Sequence, residues 1–152
     1  QIFILFLLDP TIANASLQQL CVQLTYEALQ QLLEVENLRN YGRNFLQYQM
    51  ILKNCAHFLG QLTLAQNRPL KSKFLDLKGL LKLADEQEEL QGLVGIVLPF
   101  VTTILRSCKA SKVFCPKNPW TEAILTRLAE LWGAAMNPMN AVCDADVADQ
   151  HL

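Results

Sequence analysis

From residue 17 to residue 38, apolar side chains fall at Leu17, Leu20, Leu24, Ala28, Leu32 and Val35. This three-and-four spacing lines one face of an α-helix, and Ser16 stands where its N-cap is expected. The asparagines and Gly42 of "NLRNYGRN" then signal a stop and a fresh start. A second stripe runs through Phe45, Tyr48, Leu52, Cys55, Leu59 and Leu62. It is expected to end near Ala65, because Pro69 has no N–H to donate and drives Arg68 out of the helical region. "AQNRPLKSK" is therefore a loop. Asp76 is placed to cap "LKGLLKLA", and a long apolar helix runs from about residue 90 to residue 108, with Pro99 expected to bend it.

The stretch "KVFCPKNPWTEAIL" reads as a helix entry. Asn118 before a proline is held extended, as an N-cap should be, and Pro119 takes the first helical position, where a missing donor costs nothing. Glu122 favours the positive end of the helix. Ala123, Leu125, Leu128, Leu131 and Trp132 pattern the helix that begins there, and the tail from Pro138 onward is small and acidic.

No segment alternates long enough to insist on a strand, and no low-complexity linker divides the chain. The fold class is all-α in one domain over residues 1–152, and helices joined by short loops favour antiparallel neighbours, as a bundle or as stacked hairpins. Without a fixed-period repeat, a solenoid would consist of degenerate HEAT-like hairpins.

Two apolar stretches bear on membranes. Residues 2–8 are too few to cross a bilayer, which needs ~20 residues, and they lack a basic leader and a small-residue cleavage site. They are expected to form a shortened first helix buried in the core. Residues 93–105 are uncharged but contain Pro99, which reads as a buried helix. No membrane partner is expected.

Composition narrows the partners. With 13 Lys+Arg against 14 Asp+Glu the formal charge is −1, so any attraction to a polyanion has to be local. The 5 cysteines (Cys21, Cys55, Cys108, Cys115, Cys143) contain no CxxC pair and read as reduced thiols of an intracellular protein. Catalytic groups are scarce. His151 is penultimate, and His57 is expected at a helix boundary or against a loop. Cys55 and His57 point about 200° apart on a helix, which prevents a local nucleophile and base pair. Cys108 and Cys115 do not match zinc-ligand spacing. The run "DEQEE" at residues 85–89 reads as a solvated helix start. Phosphate-binding, dinucleotide and hydrolase motifs are missing. The sequence argues against an enzyme and implies no cofactor and no metal site; a thiol hydrolase at Cys55 or Cys115 is the one enzymatic rival.

Charge placement is more informative. Arg68, Lys71, Lys73, Lys78 and Lys82 face only Asp76 over residues 68–82, and Arg106, Lys109, Lys112 and Lys117 face no acid over residues 106–117. If both loops lie on one edge of a hairpin stack, they form a basic rim for an acidic partner or RNA. Ordinary solvated loops are the alternative.

Segments 52–70 ("LKNCAHFLGQLTLAQNRPL"), 75–81 ("LDLKGLL") and 97–131 ("VLPFVTTILRSCKASKVFCPKNPWTEAILTRLAEL") resemble the middle-of-initiation-factor-four-gamma-like (MIF4G-like) domain of Not-one scaffolds, which organise the carbon catabolite repressor four/Not deadenylase complex. Ala56 and Phe58 stand where glycine and tryptophan are usual, Cys115 where a basic residue commonly precedes the prolines, and Lys117 where a second proline is common.

The resemblance implies stacked helical hairpins that act as a non-catalytic scaffold in mRNA deadenylation, mRNA decay and translational repression. It implies two protein partners, a Caf-one/Pop-two type deadenylase nuclease and a DEAD-box helicase of the Dhh-one type. It also implies a cytoplasmic location, with P-body association and some nuclear pool, and a much larger parent chain. The apolar start without an initiating methionine points the same way. Loops on helical stacks reach partners, so the expected anchors are Asn67, Arg68, Pro69 and Lys71 in the first loop, and Phe114, Asn118 and Trp120 near the second. Phe114 and Trp120 fit a core role equally well, and Pro69 a simple helix stop. The rival function is an RNA-binding helical domain that uses the two basic loops.

Overall fold

The computed structural model describes residues 2–9, 15–34, 44–86 and 91–136. Among them the chain forms α1 (Ile2–Leu8), α2 (Ala15–Leu32), α3 (Phe45–Leu62), α4 (Leu77–Glu86), α5 (Gln91–Arg106) and α6 (Pro119–Met136). Short 3₁₀ turns at Leu64–Gln66 and Ser107–Ala110 succeed α3 and α5, and no strand is present among the described residues. The all-α expectation holds, and the arrangement is solenoid-like.

The most apolar segment takes the centre. Leu93, Ile96, Val97, Phe100, Val101 and Ile104 of α5 are completely buried, and removing each such side chain from water contributes about 1.5–3 kcal/mol. Residues 93–110 are long and apolar enough to cross a membrane by length and composition, yet here those side chains are the protein core. Helix α3 packs along α5, α4 and α6 lie against α5 and each other, and α2 and α1 pack on α3. The Tyr48 hydroxyl at the start of α3 donates to the Leu32 carbonyl at the end of α2, and Arg68, just past α3, donates to Gln18 at the start of α2, so these two helices run antiparallel.

Two local devices let α3 and α5 pack closely. Gly60 of α3 faces the turn after α5, where a Cβ would overlap Ser107 Oγ and lie 3.2 Å from the Ile104 carbonyl. Only a missing side chain permits that approach. Pro99, inside α5, has no N–H for the Gly95 carbonyl one turn earlier, and Gln49 Nε2 of α3 donates to that oxygen at 2.7 Å.

Several expectations hold. In α3, Leu52, Leu59 and Leu62 are buried and Phe45, Tyr48 and Cys55 half-buried. Asp76 Oδ1 accepts from the Lys78 amide at 3.1 Å and caps α4.

Others are corrected. Helix α1 is not buried in the core: Ile4 and Leu7 are, but Phe3, Leu5 and Phe6 are exposed, because α1 lies against α3 along one edge only. Helix α2 starts at Ala15, which puts Ser16 inside its first turn, and it ends at Leu32. Its expected stripe is on the wrong face, since Leu17, Leu20 and Leu24 are exposed while Gln18, Thr25, Tyr26 and Leu29 are buried. The buried polar groups are satisfied locally: Thr25 Oγ1 donates to the Cys21 carbonyl at 2.7 Å, and Gln18 Nε2 donates to the Leu7 carbonyl.

In α6 the buried positions are Thr121, Ile124 and Leu131, with Leu128 half-buried, whereas Leu125 and Trp132 are exposed. The expected stripe was rotated by about one residue. Asp85 and Glu86 end α4 rather than start α5. Asp85 pairs with Arg127 of α6 at 2.5 Å and Glu86 with Lys82 at 3.5 Å. Val35, Gly42, Cys143, His151 and the tail from Pro138 lie outside the described residues.

Candidate partner-binding edge

The turns after α3 and α5 pack on each other, and Asn67 joins them. Its backbone is left-handed, at φ 59°, a region that asparagine tolerates better than most residues. In that conformation its Oδ1 accepts hydrogen bonds from Ser111 Oγ at 2.9 Å, the Lys112 amide at 2.8 Å and the Val113 amide at 3.1 Å. Ser111 Oγ in turn accepts from the Phe114 amide at 2.9 Å. The two loops form one edge.

Three residues beyond Asn67 shape the first loop. Arg68 Nη1 donates to Gln18 Oε1 at 3.3 Å. Both halves of the buried Gln18 amide are thereby used, one on Arg68 and one on α1. The Lys71 amide donates to the Tyr26 hydroxyl at 3.0 Å, and the Tyr26 ring packs against Phe74 at 5.5 Å. Burial raises the Tyr26 pKa, and the bond from Lys71 partly opposes that shift. The ammonium groups of Lys71 and Lys73 lie 6.0 and 5.8 Å from the Phe74 ring centre, within cation–π range. Between α2 and this loop is a groove of about 690 Å³, lined by Val22, Tyr26, Glu27, Arg68, Pro69 and Phe74 among others.

The structure distributes the seven expected anchors unevenly. Arg68, Pro69 and Lys71 are exposed around the groove. Asn67 is exposed, but its side-chain oxygen is occupied as the brace between loops. Phe114 is buried at 8% exposure, with half-buried Trp120 packed edge-on at 5.6 Å. Asn118 Oδ1 accepts from the Trp120 amide at 2.9 Å and the Thr121 amide at 3.3 Å, capping α6, while its Nδ2 donates to the Val113 carbonyl at 3.2 Å. Sequence reasoning missed Gln18 and Tyr26. They were hidden because α2's leucines mark the opposite face.

Among the described residues no three His, Cys, Asp or Glu side chains gather as metal ligands, and His57 is exposed on α3. The four described cysteines are free thiols. Burial pushes the pKa of Cys55 and Cys108 up, the reverse of an activated nucleophile.

Segments of known proteins are similar to this chain. Residues 2–147 match the family model of the CCR4-NOT transcription complex subunit 1 CAF1-binding domain. The general negative regulator of transcription subunit 1 of Saccharomyces cerevisiae is 46% identical over 80 residues, 53% of this chain. The protein of the same name from Schizosaccharomyces pombe is 37% identical over 81 residues, also 53%. The CCR4-NOT transcription complex subunit let-711 of Caenorhabditis elegans is 34% identical over 120 residues, 79% of this chain. In each case the match spans 4% of the relative's length. With the family model covering nearly every residue and the helical architecture in agreement, the chain belongs to the CCR4-NOT subunit 1 CAF1-binding domain family.

Proposed function

We propose that this chain is a non-catalytic scaffold segment that holds a Caf1-type deadenylase nuclease within a CCR4-NOT assembly. The observation that carries this reading is the family match over residues 2–147, whose description names Caf1 as the bound protein. The catalytic carboxylates and metals would belong to the nuclease. The chain itself supplies a surface whose side chains are fixed beforehand, which lowers the entropy lost on association. The groove edge with Arg68, Pro69 and Lys71 is its best-organised exposed part.

The resemblance of segments 52–70, 75–81 and 97–131 supports a second partner, a DEAD-box helicase whose two lobes the domain clamps. The joint role is in mRNA decay and translational repression in the cytoplasm. Pull-down of a purified Caf1-type deadenylase by the immobilised chain at moderate salt tests the main reading, with retention expected and no retention overturning it. Stimulation of a DEAD-box ATPase by the same chain tests the second.

A further inference from the structure

We propose that the joined loops form a phosphate-binding rim for single-stranded RNA. Arg68, Lys71 and Lys73 project from the first loop and Lys109, Lys112 and Lys117 from the second, all exposed. The brace from Asn67 to Ser111, Lys112 and Val113 puts the two groups on one edge. Among the described residues none of the six forms an ion pair; the pairs present involve Lys82 and Arg127, on α4 and α6. Asp76 and Glu122 are the acids nearest in sequence, and Asp76 is engaged in capping α4. Glu27, on the α2 wall of the groove, accepts from Gln23 Nε2 at 3.1 Å.

Three of the six cations are held by neutral groups. Arg68 is oriented by the buried Gln18 amide, and Lys71 and Lys73 lie over the Phe74 ring. Their positions are constrained while their charge is left unneutralised. Protein interfaces centre on apolar anchors and are depleted in lysine. This rim has lysines throughout, with Pro69, Ala110, Val113 and Pro116 as its exposed apolar members, while Phe114 is buried and Phe74 and Trp120 are half-buried. That composition suits the repeating charge of a nucleic-acid backbone, read without base stacking or sequence preference. The choice of RNA among polyanions rests on the deadenylase reading, since such a nuclease acts on an RNA tail; the cationic rim itself does not.

The test measures binding of a fluorescent 20-nucleotide oligoadenylate RNA to the 152-residue chain by anisotropy between 50 and 200 mM salt. With about four phosphates contacted, affinity should fall about 50-fold across that range. Joint reversal Lys73→Glu, Lys112→Glu and Lys117→Glu, all outside the groove edge proposed for the nuclease, should weaken binding more than tenfold at 50 mM salt and make the logarithmic salt slope shallower by about 2. Lys82→Glu, on α4, should leave it unchanged. Absent RNA binding at 50 mM salt, or binding unaffected by the triple reversal, overturns the proposal. Deadenylase pull-down by the triple variant separates the readings. Retained nuclease with lost RNA binding supports the RNA rim. Nuclease lost on charge reversal while the wild-type chain binds no RNA makes the rim an acidic-protein interface and refutes the RNA proposal.

Discussion

The side-chain oxygen of Asn67 stands 2.8 Å from the backbone nitrogen of Lys112, 45 residues along the chain, and serves two further donors. Asn67→Ala removes the acceptor and places a Cβ-bearing residue without local hydrogen bonding in the left-handed region, for a combined cost of about 2 kcal/mol. Asn67→Gly relieves the backbone but not the lost bonds and should fall between, while Asn67→Asp should hold near wild type. Urea midpoints in the order wild type and Asp, then Gly, then Ala are expected. Equal Gly and Ala values would remove the backbone contribution.

Gly60→Ala places a methyl against Ser107 Oγ and should destabilise the fold by about 1–3 kcal/mol. Ser107→Gly clears most of that space and should recover part of the loss. A double-mutant cycle by thermal unfolding is expected to give a favourable coupling of at least ~0.5 kcal/mol; strict additivity would mean that the helices simply move apart.

Thr121 is buried, and its hydroxyl has no hydrogen-bond partner among the described residues. Thr121→Val keeps the shape and discards the unsatisfied group, so a gain of about 1 kcal/mol in denaturant unfolding is expected. A loss of similar size would show that the hydroxyl is satisfied in solution.

Gln49→Leu withdraws the donor that serves the Gly95 carbonyl and should cost about 1 kcal/mol. In a Pro99→Ala background the helix regains its own N–H, and the same substitution should cost close to nothing. Chemical denaturation of the four proteins checks this directly.

Burial raises the pKa of Cys55 and Cys108 above the usual 9.0 and of Tyr26 and Tyr48 above 10.0. A raised acid favours the neutral folded form, so its stabilisation is complete below the unfolded-state pKa and is lost as pH climbs through the folded one. Unfolding midpoints should be level near neutrality with respect to these four groups and fall above about pH 9. Cys55 and Cys108 should react with a disulfide reagent more slowly than free cysteine at pH 8.

Helix boundaries were legible where a single side chain dictates them. Asn118, Pro119 and Asp76 act locally, and each cap sits where the sequence placed it. The faces of α2 and α6 were not legible from periodicity. Periodicity reports which residues are apolar, whereas burial depends on what lies opposite. Gln18 is buried because Leu7 and Arg68 satisfy both ends of its amide, a fact held in two other segments. Leu17, Leu20 and Leu24 remain outside because α2 rests on α3 through its other side. The candidate edge was half visible: the two basic loops could be read from the sequence, but their union through Asn67 is a tertiary event with no local signal.

Pro99 gives α5 one carbonyl that its own backbone cannot serve. Alone, α5 would leave the Gly95 oxygen to water, so its full set of bonds forms only once α3 has arrived alongside. The central helix therefore completes its bonding within the protein only beside its neighbour, and we expect the folding transition state to contain α3 and α5 docked together rather than α5 as a solitary seed.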